Sequence, residues 1–201
     1  MNKEEIINKL RDDENYYGDF GKTYLSNSDI SALINNPLEF KKPLEKTPAI
    51  LIGGYFHTCI LEPHKLDKYK ISKSKTRNTN EYKLLSDGDI CLLEKEADEI
   101  EIMRETVLNN DLFKQLIQEG DVEYELPGIT ELDGMLWKGK ADIINKTEQL
   151  VIDLKTTTNI NSFASSAYKY NYDSQAYIYS KMFGYCLLYT SPSPRDKRQS
   201  R

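Results

Sequence analysis

The chain has 201 residues, 39% of them apolar and 29% charged, with a net charge of −5. That length fits one globular domain with a buried core, and no apolar run approaches the ~20 residues of a membrane span. Three scattered cysteines without a close pair argue for reduced thiols in a cytoplasm and against a disulfide framework, a zinc site or a four-cysteine iron–sulfur cluster.

Residues 1–23 open as an acidic amphipathic segment and are expected to form a helical lead-in rather than a signal peptide. A helix start follows at Tyr24-Leu-Ser-Asn-Ser-Asp-Ile30, where Ser26 or Ser28 can cap and Ile30, Leu33 and Ile34 form an apolar stripe; Pro37 ends or bends it. A second apolar segment runs from Ile50 to Leu61 and contains Gly53-Gly54 and His57. Lys68, Lys70, Lys73, Lys75, Arg77 and Lys83 then crowd one loop, which reads either as a solvated surface or as a contact for DNA. The acidic total is unpromising for gripping nucleic acid by bulk charge, so local clusters of this kind matter more. Ile90, Leu93, Ala97, Ile100 and Val107 repeat at helical spacing, and a shorter helix through Leu112, Leu116 and Ile117 stops at Gly120.

From Gly120 the period changes. Val122–Leu126, Met135–Ile144 and Gln149–Thr156 read as strands, the last two joined by Asn145-Lys-Thr-Glu148. Two helices are expected after them, Asn161–Tyr170 and Tyr172–Phe183. The composition of residues 186–201 shifts abruptly to Ser, Pro and Arg and resembles translated sequencing-adapter read-through. This segment is therefore set apart as non-native, and the domain, residues 24–185, is expected to be truncated at its C-terminal end.

Chemistry concentrates in Val151-Ile-Asp-Leu-Lys155. Asp153 and Lys155, two apart on a strand, share a face, and their neighbours are apolar. Charged groups seldom enter such a strand unless they are paired or bind a metal. Two other acid-x-Lys triplets occur, Glu39/Lys41 and Glu81/Lys83, but neither lies in an apolar strand. A structural ion pair is the plain alternative. If the hairpin turns about the Thr147–Glu148 peptide, Asp142 falls directly opposite Asp153, ~5 Å away at Cβ, where two carboxylates can share a divalent ion. Oxygen ligands at this density favour Mg²⁺ or Mn²⁺ over zinc, and Lys155 would orient the attacking water or offset developing charge.

The stretches Val122-Glu-Tyr-Glu125, Gly134-Met-Leu-Trp-Lys-Gly-Lys-Ala-Asp142, Val151-Ile-Asp-Leu-Lys-Thr156 and Tyr172-Asp-Ser-Gln-Ala-Tyr-Ile-Tyr179 resemble the phage and prophage exonuclease VIII (RecE-type) nucleases. That family belongs to the PD-(D/E)xK superfamily, with λ exonuclease and the RecB nuclease domain. The similarity extends upstream to Leu25-Ser-Asn-Ser-Asp-Ile30, Asn36-Pro37 and Gly53-Gly-Tyr-Phe-His57, so it covers residues 24–184. The proline of the family name is Ala141 here.

The resemblance implies an α/β restriction-endonuclease-like core, a central mixed sheet flanked by helices, behind an N-terminal helical region. It implies that Asp142 and Asp153 bind metal, with His57, Glu123 and Leu154 in the same set, and that Lys155 is the catalytic lysine. Glu125, two residues after Glu123, is the rival acid. Read from the residues alone, a lone histidine in an apolar helix is more often a core residue. Gln175 and Tyr179 share a helix face at i and i+4; in the family this face looks at the active site and DNA, while a packed core helix is the alternative. Lys73, Lys75 and Arg77 are the further candidates for DNA contact. The expected activity is Mg²⁺-dependent (or Mn²⁺-dependent) exonucleolytic hydrolysis of linear double-stranded DNA in phage-type recombination, beside a single-strand annealing recombinase and as a homo-oligomer. A nuclease fold that binds without cutting and a structure-specific endonuclease are the competing readings.

Overall fold

The computed structural model describes residues 1–43, 45–157 and 159–190. In chain order its helices are α1 (Lys3–Leu10), α2 (Asp13–Tyr17), α3 (Asp19–Lys22), α4 (Asn27–Asn35), α5 (Pro48–Leu61), α6 (Asn80–Ser86), α7 (Glu94–Leu108), α8 (Asp111–Gln118), α9 (Phe163–Lys169) and α10 (Tyr172–Phe183). The strands are β1 (Ile71–Ser72), β2 (Leu92–Leu93), β3 (Val122–Leu132), β4 (Met135–Asn145), β5 (Leu150–Leu154) and β6 (Cys186–Thr190). The chain resolves into two compact units.

The first unit comprises residues 1–43, 120–153 and 161–189. Its centre is a mixed four-stranded sheet in the order β3-β4-β5-β6. β3, β4 and β5 run antiparallel as consecutive hairpins. β3 is an edge strand, which is why Pro127 can sit inside it without costing a ladder bond. α10 covers the sheet through Ala141, Ile144, Val151, Ile178, Tyr179 and Met182. It lies close because Gly128 and Gly139 face each other across the β3–β4 ladder. A Cβ on Gly128 would come within 2.6 Å of the Met182 sulfur, and one on Gly139 within 2.7 Å of the Tyr179 ring. The helical lead-in packs Ile6, Leu10 and Tyr16 against Tyr24 and Ile129. α4 begins as expected: Ser26 precedes it, and the Asp29 carboxylate accepts from both the backbone N and the Oγ of Ser26 at 2.8 Å.

Among the described residues, the second unit comprises 45–119, 154–157, 159–160 and 190. α5 packs on α7, with Phe56, Cys59, Leu61, Leu92, Ile100, Met103 and Val107 among the buried residues of this unit. The basic loop is more ordered than expected, because it carries β1, paired in parallel with β2, and helix α6. Of the segment set apart from the sequence, Cys186–Thr190 forms β6; residues 191–201 lie outside the described residues. No helix among the described residues is long and apolar enough to cross a membrane.

Candidate active site

Within the first unit the β4–β5 register decides which acids meet. Ile143 pairs with Ile152, Ile144 with Val151 and Asn145 with Leu150. This is the register expected for a turn about Thr147–Glu148. Carried one residue further, it sets Asp142 opposite Asp153. On the other side of β4, Tyr124 pairs with Ile143 and Leu126 with Ala141, which leaves Glu125 level with Asp142. Glu125 takes a left-handed backbone conformation, φ +49°, at the one position where this ladder is interrupted. A carboxylate oxygen of Glu125 lies within 4.8 Å of one on Asp142. Three strands therefore bring Glu125, Asp142 and Asp153 to one level of the sheet.

Glu123 has a different place. It pairs with Ile144 in the ladder, and its carboxylate forms an ion pair with Lys146. The preference for Glu123 as the strand acid is thus corrected in favour of Glu125. Period-two alternation treats the two positions alike, and only the left-handed residue distinguishes them.

Asp153 is buried at 2% exposure. Its Oδ1 accepts a hydrogen bond of 2.7 Å from Gln175 Nε2, so α10 delivers the expected glutamine to the expected acid. Tyr179 lies one turn further along α10 and is buried; its hydroxyl donates to the Lys140 carbonyl at 2.9 Å. It clamps α10 to β4 two residues before Asp142, which corrects the expectation of direct DNA contact. Burial pushes the Tyr179 phenol pKa up, and the Asp153 and Asp142 charges push it further. The same causes, burial first and then Asp153, raise that of Tyr189 on β6. The Tyr189 hydroxyl donates to the Tyr172 carbonyl at 2.5 Å and reaches Gln175 Oε1 at 3.5 Å. No sequence signal pointed to Tyr189, because the composition of its segment argued for exclusion.

In the second unit, His57 Nε2 lies 2.7 Å from the carbonyl oxygen of Leu154. Two members of the expected metal set are therefore neighbours. Gly53, one turn earlier on α5, approaches Thr156: a Cβ there would sit 3.6 Å from the threonine Oγ1. This glycine–histidine face of α5 thus packs along the chain that carries Lys155. Lys155 follows the end of β5, and its backbone N donates to the Thr190 carbonyl at 2.8 Å. Lys73 and Lys75 are exposed. Arg77 is not available for DNA as expected, because its guanidinium bonds the Glu96 carboxylate at 2.6 Å. That hydrogen bond raises the already high arginine pKa. Glu96 also accepts from the Leu93 backbone N, so Arg77 ties the loop to the start of α7.

Lys138 on β4 offers a separate check on the electrostatics of the first unit. It is buried; its ammonium donates to the Tyr16 carbonyl and lies 4.2 Å from the centroid of the Tyr16 ring. Burial, with the Lys41 charge as the second cause, pulls its pKa from 10.5 to about 8. The unfolded chain then holds a proton that the folded chain has released, so this group's contribution to stability rises with pH between about 8 and 10. Urea unfolding of wild type and Lys138→Met at pH 7 and pH 9.5 measures this. The advantage of the methionine variant is expected to shrink at the higher pH, and a constant gap would show that Lys138 stays charged.

Comparison with known proteins gives the geometry its context. The model of the family described as "PDDEXK-like domain of unknown function (DUF3799)" matches residues 24–187. The chain belongs to this family. It is thereby a member of the PD-(D/E)xK nuclease superfamily; the narrower RecE-type assignment stays a resemblance. No curated protein matches the chain. Among solved structures it is similar to a "Putative exonuclease" from Eubacterium rectale, with 18% identity and a TM-score of 0.67 over 92% of this chain and 74% of that one. At that identity the likeness establishes the shared fold, an α/β core of PD-(D/E)xK type.

The donors suit a hard divalent cation. Within the first unit, two carboxylates within 4.8 Å of each other and a third acid at the same strand level provide oxygen ligands.

Proposed function

We propose that this PD-(D/E)xK protein is a metal-dependent exodeoxyribonuclease that hydrolyses phosphodiester bonds at the ends of linear double-stranded DNA. The observation that carries the reading is that Glu125, Asp142 and Asp153 stand at one level of three neighbouring strands, with carboxylate oxygens of Glu125 and Asp142 within 4.8 Å of each other. Acids gathered in this way repel one another unless a cation joins them. In this reading Glu125, Asp142, Asp153 and the Leu154 carbonyl hold Mg²⁺ or Mn²⁺, with His57 as a further ligand. When bound, such an ion polarises the phosphodiester and offsets charge on the leaving oxygen. Gln175 fixes the rotamer of Asp153 by its hydrogen bond. Lys155 orients the attacking water or offsets the negative charge that develops on the phosphate. Lys73 and Lys75 contact the DNA backbone, and a single-strand annealing recombinase is the partner that would take up the product strand.

Duplex DNA labelled at one end and a covalently closed circle of the same sequence, each incubated with Mg²⁺, test the proposal. Nucleotides are expected to be released from the linear duplex while the circle stays intact. Cutting of the circle would convert the reading to an endonuclease. Retention of both substrates, with binding intact, would convert it to a non-cleaving module.

A further inference from the structure

The first unit exposes aromatic rings that its packing does not need. Tyr168 is 87% exposed and Tyr170 52%. Tyr170 stacks on Tyr172 with centroids 6.2 Å apart and planes at 27°, and Tyr172 stacks on Tyr189 at 5.0 Å and 21°. Phe163 lies 6.0 Å from Tyr172 with its plane tilted by 48°. The ladder thus runs from solvent inward to Tyr189, whose hydroxyl reaches Gln175, the residue bonded to Asp153.

Its geometry is held by the backbone. Asn171, between Tyr170 and Tyr172, is left-handed at φ +52°, a conformation that asparagine tolerates better than most residues. Asn171 Nδ2 donates to Ser31 Oγ at 2.9 Å, and Ser174 Oγ donates to Asn27 Oδ1 at 2.5 Å. Both bonds pin the turn to α4. Lys169 Nζ lies over the Tyr170 ring, 5.4 Å from its centroid, and brings a mobile cation to the exposed end.

Parallel rings, one end in water, a cation beside them and a fixed backbone match the requirements for stacking unpaired bases while neutralising their phosphates. We infer that Tyr168, Tyr170 and Lys169 form a stacking platform for an unpaired DNA strand, continuous with the proposed nuclease site. The inference rests on that reading for its position, but binding tests it without cleavage.

The probe is a fluorescein-labelled oligothymidylate of twelve nucleotides, titrated with the full chain in EDTA and read by anisotropy. Tyr170→Ala is expected to weaken binding about tenfold, with Tyr170→Trp close to wild type, since each stacked base is sensitive to loss of its ring. Tyr168→Ala/Tyr170→Ala should weaken it further. Both positions are exposed, and circular dichroism verifies folding. Binding that is unchanged in the double variant overturns the platform. So does a change of oligomeric state by size exclusion with oligonucleotide affinity retained, which would make this face a protein contact. If the oligonucleotide binds in the ring-dependent way but Mg²⁺ supports no cleavage of linear duplex, the nuclease reading fails and the platform stands. The reverse pattern removes the platform alone.

Discussion

Replacing Asp153 by alanine is expected to abolish cleavage of linear duplex DNA, with a loss of at least ~10³-fold, on the scale of removing a principal electrostatic group from an active site. Asp153 is nearly inaccessible, stands level with Asp142 and is held by Gln175 at 2.7 Å. A buried carboxylate in an apolar strand, set opposite a second acid, is costly to the fold in the absence of a cation. Its removal should therefore leave the apo protein about as stable as wild type, while activity disappears. This combination separates a functional acid from a structural one, whose loss would lower the melting temperature first. Initial rates of nucleotide release and thermal melts in EDTA, measured on both proteins, supply the test. A variant that keeps more than a tenth of wild-type activity would falsify the role assigned to Asp153.

The second large effect separates two glutamates only two residues apart. Glu125→Gln is expected to reduce cleavage by more than ~10²-fold and to weaken the stabilisation that Mg²⁺ or Mn²⁺ confers on the fold. A ligand that binds only the native state at a hundred times its dissociation constant adds about 2.7 kcal/mol, enough to resolve by thermal melting. Glu123→Gln should leave both quantities nearly unchanged. Its partnership with Lys146 is solvent-screened and contributes little to stability. The melt gives an answer even if no DNA substrate is cut. Equal behaviour of the two variants, or a larger effect at Glu123, would remove Glu125 from the site.

This contrast also marks how far the site was legible before folding. Alternating apolar residues and a four-residue turn between them specify the β4–β5 hairpin, and a hairpin register follows from where its turn lies. The level of Asp142 with Asp153 could therefore be worked out from spacing alone. Gln175 was legible only through the family resemblance; helix period placed it on one face with Tyr179 and left a packed core helix as the alternative. The direction of each side chain from that face was not legible. Gln175 reaches Asp153, whereas Tyr179 turns its hydroxyl to the Lys140 carbonyl, and only contact with β4 distinguishes the two.

Local pattern alone determined the alternation of strands and helices after Gly120 and the pair of acids that face each other across a hairpin. These follow from interactions between residues near in sequence, where periodicity and turn chemistry act directly. The tertiary structure decided the rest. A left-handed φ at Glu125 chose that acid over Glu123, and the Arg77–Glu96 bond withdrew an arginine from the basic loop. Gly128 and Gly139 let α10 settle on the sheet at the depth that brings Gln175 to Asp153. Each of these depends on which distant group occupies a given space, and residue spacing along one chain carries no record of that.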